Sequence, residues 1–237
     1  DRVIRTTDPM GNESTTHYDP NGNRVSTRTN GELNDIPGGA GNVRLTETTY
    51  EYDAMDRLTR SDVAFFDTAT QTPIGDGQAN TLTFFSDNSQ ALRTVDDNNH
   101  TNTFTYDTAN RLRALTDAKG NTQTYAYDAN NNVITTTEVD KSDLGAPDQT
   151  FVTRYTYDYA GRRTSVTFGD NTYVNFAFNS LGQLTNQSDT LGARSLAYNN
   201  QGLHTNTSTA FGTVQRLIYD LDDNAGTVID ANGVTLN

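Results

Sequence analysis

Apolar and polar residues alternate with a period of two along most of the chain. In TNTFTYD, residues 101–107, Phe104 and Tyr106 share one face of an extended segment while Thr103 and Thr105 share the other. TQTYAYD, VTRYTYD and YVNFAFN repeat the arrangement. Period two is the signature of a β-strand, in which successive side chains point to opposite faces. No segment carries helical periodicity, so the expectation is an all-β chain.

The alternation is itself repeated. Aligning on the aromatic that precedes Asp or its stand-in gives Tyr18, Tyr52, Phe85, Tyr106, Tyr127, Tyr157, Phe178, Tyr198 and Tyr219, at spacings of 34, 33, 21, 21, 30, 21, 20 and 21. The unit is about 21 residues, and self-similarity at that period indicates a repeat architecture. The three long intervals hold turn-rich segments, near 31–42, 68–79 and 140–147, which are expected to be loop insertions. Each unit has two turn signals, one just after the aromatic (YDPNGN, YDYAGR, FNSLGQ) and one about seven residues before the next (TDPMGN, TDAKGN, SDTLGA). Asp or Asn opening a turn and Gly or Asn closing it suit hairpins in which one residue has positive φ. A unit is therefore a β-hairpin. Nine units make a meander of about 18 antiparallel strands across a single region, 1–237. At roughly 4.8 Å per strand the strip is about 86 Å wide, and closed into a ring it is too narrow to hold a folded domain.

Composition narrows what such a strip can do. Hydrophobic residues make up 33% of the 237, which is lean for a thick two-layer core. The formal net charge of -13 argues against nucleic acid and anionic membrane as partners, because each repels an acidic surface. There is no cysteine, hence no disulfide framework or thiolate metal site. No apolar run has the length of a membrane span, and no signal-peptide pattern is found.

YEYDAMDRL, FTYDTANRL, YAYDANNNV and YTYDYAGRR, beginning at Tyr50, Phe104, Tyr125 and Tyr155, resemble the YD-repeat or Rhs-repeat proteins. Their consensus sets Tyr-x-Tyr-Asp before x-x-Gly-Arg/Asn-Leu and a later Asp-x-x-Gly-Asn. The register covers essentially the whole chain. It departs at Ser86 after Phe85, at Asn199 after Tyr198, and where Asp56, Asn110, Asn131 and Asp223 replace glycine. The resemblance implies a β strip that spirals into a hollow shell, as in Rhs toxins, the B and C subunits of insecticidal toxin complexes and teneurin ectodomains. In the bacterial members the shell encloses a C-terminal toxin domain. It further implies a secreted or cell-surface, bacterial-type location. The tail LIYDLDDNAGTVIDANGVTLN is similar to the repeat that shortly precedes the family's C-terminal core. The chain is expected to be a segment of a larger shell or a repeating subunit, without the enclosed domain.

The Tyr-Asp step reads as architecture, since catalysis needs one preorganised constellation and nine copies at a fixed interval cannot all be active sites. The aromatics are expected to form a stripe that stacks from hairpin to hairpin, and Asp19, Asp53, Asp107, Asp128, Asp158 and Asp220 to accept backbone N–H bonds in the following turn. Asp-Pro-x-Gly at Asp8 and Asp19 is similar to the paired signature of the Rhs-core aspartyl protease, but both lie in ordinary repeat turns. Asp96 with Asp97, and Asp220 with Asp222 and Asp223, offer oxygen ligands without a complete calcium loop. His17, His100 and His204 have no metal-ligand spacing. Arg24, Arg57, Arg111 and Arg162 recur after the turn and are expected to pair with neighbouring turn carboxylates. Lysine occurs only at Lys119 and Lys141.

No catalytic residue, metal site or cofactor is assigned, and the chain is not expected to be an enzyme. The expected function is a scaffold: the wall of an Rhs-like shell around a toxin domain. The alternative is an extracellular assembly or adhesion protein, self-associating through strand edges or binding surface glycans. The partners are then the rest of its own shell or further copies, with no nucleic acid and no membrane insertion.

Overall fold

The structure, a computed structural model, describes residues 2, 4–33, 41–220 and 225–236. The chain divides into two compact units, Asp1–Asn121 and Thr122–Asn237. The first holds β1 (Arg5–Thr7), β2 (Glu13–Tyr18), β3 (Arg24–Gly31), β4 (Val43–Tyr52), β5 (Leu58–Phe66), β6 (Pro73–Phe85), β7 (Ala91–Asp96), β8 (Thr101–Tyr106) and β9 (Leu112–Thr116). The second holds β10 (Thr122–Tyr127), β11 (Val133–Asp140), β12 (Gln149–Tyr157), β13 (Arg163–Thr167), β14 (Tyr173–Phe178), β15 (Leu184–Asp189), β16 (Gly192–Tyr198), β17 (His204–Thr209), β18 (Gly212–Tyr219), β19 (Ala225–Asp230) and β20 (Thr235–Leu236). Within each unit every strand pairs antiparallel with the next one in sequence. The nine anchors account for two strands each, and β1 and β20 are the additional ones. No helix occurs among the described residues.

Alternation in sequence becomes alternation in exposure. Along β14, Val174, Phe176 and Phe178 are half-buried while Tyr173, Asn175 and Ala177 are exposed. The aromatic face is covered only partly. Among the described residues Val166, at 9% exposure, is the one hydrophobic side chain in the buried class, paired across β13 with Tyr155 on one side and Val174 on the other. A lean composition thus builds a thin layer whose cohesion depends on ladder hydrogen bonds and cross-strand pairs.

One insertion differs from its expectation. Residues 68–79 were assigned to a loop, yet the turn closes by Thr72 and β6 begins at Pro73. Phe66 pairs with Pro73 and Ala64 with Gln78, so residues 74–77 arch out between two register points and then rejoin the ladder. Gly75 and Gly77, at φ 64° and 83°, supply the backbone conformations that let the strand leave and re-enter its line. Residues 32–42 join β3 to β4, with 34–40 outside the described residues, and 141–148 join β11 to β12.

Candidate functional site

The recurring feature is the turn after each anchor. Asp53 shows its construction. Its N–H donates to the Arg57 carbonyl (3.0 Å), and the Asp56 N–H donates back to the Asp53 carbonyl (3.0 Å). Asp56, at φ 57°, fills the left-handed position, as Gly22, Asn110, Asn131 and Gly161 do in their own turns. This is a tight turn closed by a left-handed residue, a position that favours Asp, Asn or Gly and in the turn after Phe85 is taken by Ser89 (φ 62°). The departures from glycine noted in the sequence are therefore conformationally equivalent, and Asp223 lies outside the described residues.

The Asp side chain organises the turn from within. Asp53 Oδ1 accepts from the Met55 and Arg57 N–H groups (2.9 and 3.1 Å), and Oδ2 accepts from Arg57 Nε (2.7 Å). Asp107 with Arg111, Asp158 with Arg162, Asp128 with Asn132 and Asp19 with Asn23 repeat the clasp. The Arg57 side-chain bond holds the Asp53 carboxyl below the usual carboxylate range, and for Asp107 the Arg111 backbone N–H is the leading cause. The arginines thus pair with the carboxylate of their own turn. Arg24 does not, because Asn23 occupies the clasp position; its guanidinium lies 4.8 Å from the Tyr50 ring centre instead. Asp220 is followed by four residues, Asp222 and Asp223 among them, that lie outside the described ones.

What joins one anchor to the next is chiefly not ring stacking. Tyr52 Oη donates to the Arg24 carbonyl (3.0 Å), Tyr106 to Ala91 (3.0 Å), Tyr157 to Val133 (2.8 Å), Tyr198 to Leu184 (2.8 Å) and Tyr219 to His204 (2.7 Å). In every case the acceptor stands six residues after the preceding anchor. Phe85 and Phe178 have no hydroxyl to donate. Each instead lies under the clasp arginine of the preceding hairpin, Arg57 or Arg162, at 4.8 Å from guanidinium carbon to ring centre. The same arginines donate onward to the Ser86 and Asn179 carbonyls (2.8 and 3.2 Å). Tyr198 adds an edge contact with His204, 5.6 Å between ring centres.

A further regularity is a bulge. The anchor pairs with the residue six later, the residue before the anchor pairs with the one eight positions beyond the anchor, and the residue between those two partners is left out of register. This holds at all nine anchors, from Tyr18 opposite Arg24 to Tyr219 opposite Ala225. A bulge increases local twist and bends its strand. The carbonyl that the next tyrosine uses belongs to the residue just before the bulged one, as Arg24 and Ala91 show. The sequence signal that could have found the clasp is the side-chain N–H donor five positions after the anchor: Asn23, Arg57, Gln90, Arg111, Asn132, Arg162 and Gln183.

The other candidates fall into structural positions. Asp8 and Asp19 sit at opposite ends of the six-residue β2, about 20 Å apart at strand rise, and each caps its own turn, so they cannot share a proton. His100 takes the clasp position opposite Asp96, Nδ1 to Oδ2 2.9 Å, where other turns place Asn or Arg. Lys141 pairs with Asp148 across the 141–148 loop (2.6 Å). Among the described residues no group of three His, Asp or Glu side chains converges on a metal position, and no helix is long and apolar enough to cross a membrane.

Comparison with known proteins meets this geometry at two levels. The family description RHS Repeat matches residues 106–142, one and a half units that include Tyr106 and Tyr127. The crystal structure of TcdB2-TccC3-Cdc42 superposes on 95% of the chain with a TM-score of 0.62 at 16% identity, and TcdB2-TccC3-TEV on 95% with 0.61 at 15%. The chain covers 12% of the length of each of those chains. No curated protein matches it. The fold is that of YD/Rhs-repeat structures, and residues 106–142 carry an Rhs repeat.

Proposed function

We propose that the chain is a length of wall in an Rhs-type shell, and that its work is mechanical: it forms part of a surface that secludes a toxin domain outside the cell that makes it. The observation that carries this reading is the pairing of a repeat built for lateral continuation with a fold shared over 95% of the chain with TcdB2-TccC3 structures. Successive hairpins are tied either by an anchor tyrosine that donates its hydroxyl to a carbonyl of the preceding one, as Tyr52, Tyr106, Tyr157, Tyr198 and Tyr219 do, or by an arginine that covers the next ring, as at Phe85 and Phe178, which suits a continuous wall. The carboxylates and arginines of the anchor turns are engaged in capping and in ties to the next turn, which supports a scaffolding role.

A second reading, self-association into an extracellular assembly, draws on one feature. Leu191 and Phe211, at the tips of adjacent hairpins, are 96% and 101% exposed, and apolar tips of that kind favour association. Light scattering on the purified chain, with electron microscopy of the same sample, separates the two. The mass of a single chain is expected for a wall segment. Discrete oligomers or filaments would transfer the function to the assembly reading.

A further inference from the structure

Two Asn-Gly pairs occupy the same position in the same kind of turn, Asn21–Gly22 after Asp19 and Asn232–Gly233 after Asp230. In both, the glycine has positive φ (101° and 77°) and its N–H donates to the turn-opening carbonyl (3.1 and 3.0 Å). Their surroundings differ. Asn21 Nδ2 donates to Asp56 Oδ1 in the adjacent turn (2.9 Å), and the Gly22 N–H has a second acceptor in Asp19 Oδ1 (2.7 Å). The Arg2 guanidinium covers Gly22, 2.9 Å from where a Cβ would stand. Asn232 is exposed, its side-chain amide makes no hydrogen bond to the described residues, and nothing lies within 4 Å of the Cβ position at Gly233.

We propose that Asn232 is a site of spontaneous backbone modification and that Asn21 is guarded against the same reaction. The Gly233 backbone nitrogen, losing its proton to hydroxide, attacks Asn232 Cγ; the C–Nδ2 bond breaks and ammonia leaves. Water then opens the cyclic imide at either carbonyl, giving aspartate or isoaspartate, so the net change is amide plus water to acid plus ammonia. The reaction requires the Asn side chain to swing over the following nitrogen. Asn232 is free to do so, whereas Asn21 must first break its bond to Asp56. Each conversion adds one negative charge. The isoaspartyl form also inserts a methylene into the turn that sets the register of β19 and β20, Val228 opposite Leu236 and Ile229 opposite Thr235. Loss of that register uncovers the backbone groups of β19 for pairing with another strand.

The test is peptide mapping by mass spectrometry, with enzymatic methylation to count isoaspartate, on the whole folded chain aged at mildly alkaline pH. Asn232 is expected to convert about tenfold faster than Asn21, since the Asn21 turn must give up two more hydrogen bonds. In concentrated urea the two should convert at similar rates. Asp56→Gly keeps a residue suited to positive φ while removing the acceptor; it should raise the Asn21 rate severalfold and leave Asn232 unchanged. Equal rates in the folded chain, Asn21 leading, a difference that persists in urea, or no conversion at either site while the unfolded chain converts, would each overturn the proposal.

Discussion

Within each unit the two ends of the hairpins follow different rules. The anchor ends are uniform: the same bulge recurs after all nine anchors, and an Asp, Asn or Ser opens each of their turns. The opposite ends vary. They include closed turns without a bulge at Asp8 and Asp96, two-residue tips at Thr190–Leu191 and Ala210–Phe211, and all three insertions. The difference teaches where length can change. At the anchor end the turn also belongs to its neighbours, through a tyrosine hydroxyl or an arginine, so a change in length breaks contacts in two hairpins. At the opposite end neighbouring turns are tied less regularly, as where Asn42 Nδ2 donates to the Gly11 carbonyl (2.7 Å) and Gln71 Nε2 to the Arg44 carbonyl (3.0 Å), and the entropic cost of closing a loop there grows slowly with its length.

Acid should erase the contrast most completely. The carboxyls of Asp8, Asp53, Asp67 and Asp107 titrate below their ordinary values, led respectively by the Asn12 side-chain bond, the Arg57 side-chain bond and the Thr70 and Arg111 backbone bonds. A folded-state value below the unfolded one means the stabilisation is fully present above about pH 4 and is lost as pH falls through the folded-state values. Thermal melts from pH 7 down to pH 2 should show a plateau and then a steep fall below pH 4, with both ends of the hairpins loosening together in hydrogen exchange.

Insertion tests the contrast directly. Four Gly/Ser residues placed between Ala54 and Met55 should cost about 2–4 kcal/mol, as the capping, clasp and inter-hairpin bonds of that turn are lost. The same insert between Leu144 and Gly145 should cost less than about 1 kcal/mol. Equal costs in urea unfolding would show that the anchor turn is no more constrained than the loop.

Single hydroxyls probe the inter-hairpin link. Tyr157→Phe should destabilise by about 1 kcal/mol through loss of the bond to the Val133 carbonyl. Tyr159→Phe, at a fully exposed turn position, is the matched control and should be neutral. The smallest effect runs the other way. By the six-residue offset, Phe85→Tyr aims its hydroxyl at the Leu58 carbonyl and should add about 0.5 kcal/mol, provided the Arg57 guanidinium keeps its place over the ring.

Much of this protein is legible in its sequence. Strand identity follows from period two, turn positions from Asp with Gly or Asn, and the repeat from the anchors, because each of these is a local property that a residue's own chemistry dictates. Residues 68–79 have loop-forming letters yet rejoin the ladder at Pro73 and Gln78, because such letters do not reveal whether a chain leaves a ladder or returns to it. Arg57, Arg111 and Arg162 meet a turn carboxylate, whereas Arg24, alike in the sequence pattern, stands one position further along and meets the Tyr50 ring instead.

The sequence by itself determined an all-β meander, its period, and which residues cap its turns. Only the tertiary structure decided how hairpins hold one another: the bulge after every anchor, the hydroxyl that reaches a carbonyl in the preceding hairpin, and the arginine that covers the ring where that hydroxyl is missing. The physical reason is that the acceptors are backbone carbonyls. Every residue carries one, so no letter in the sequence marks the few that the fold turns outward for use.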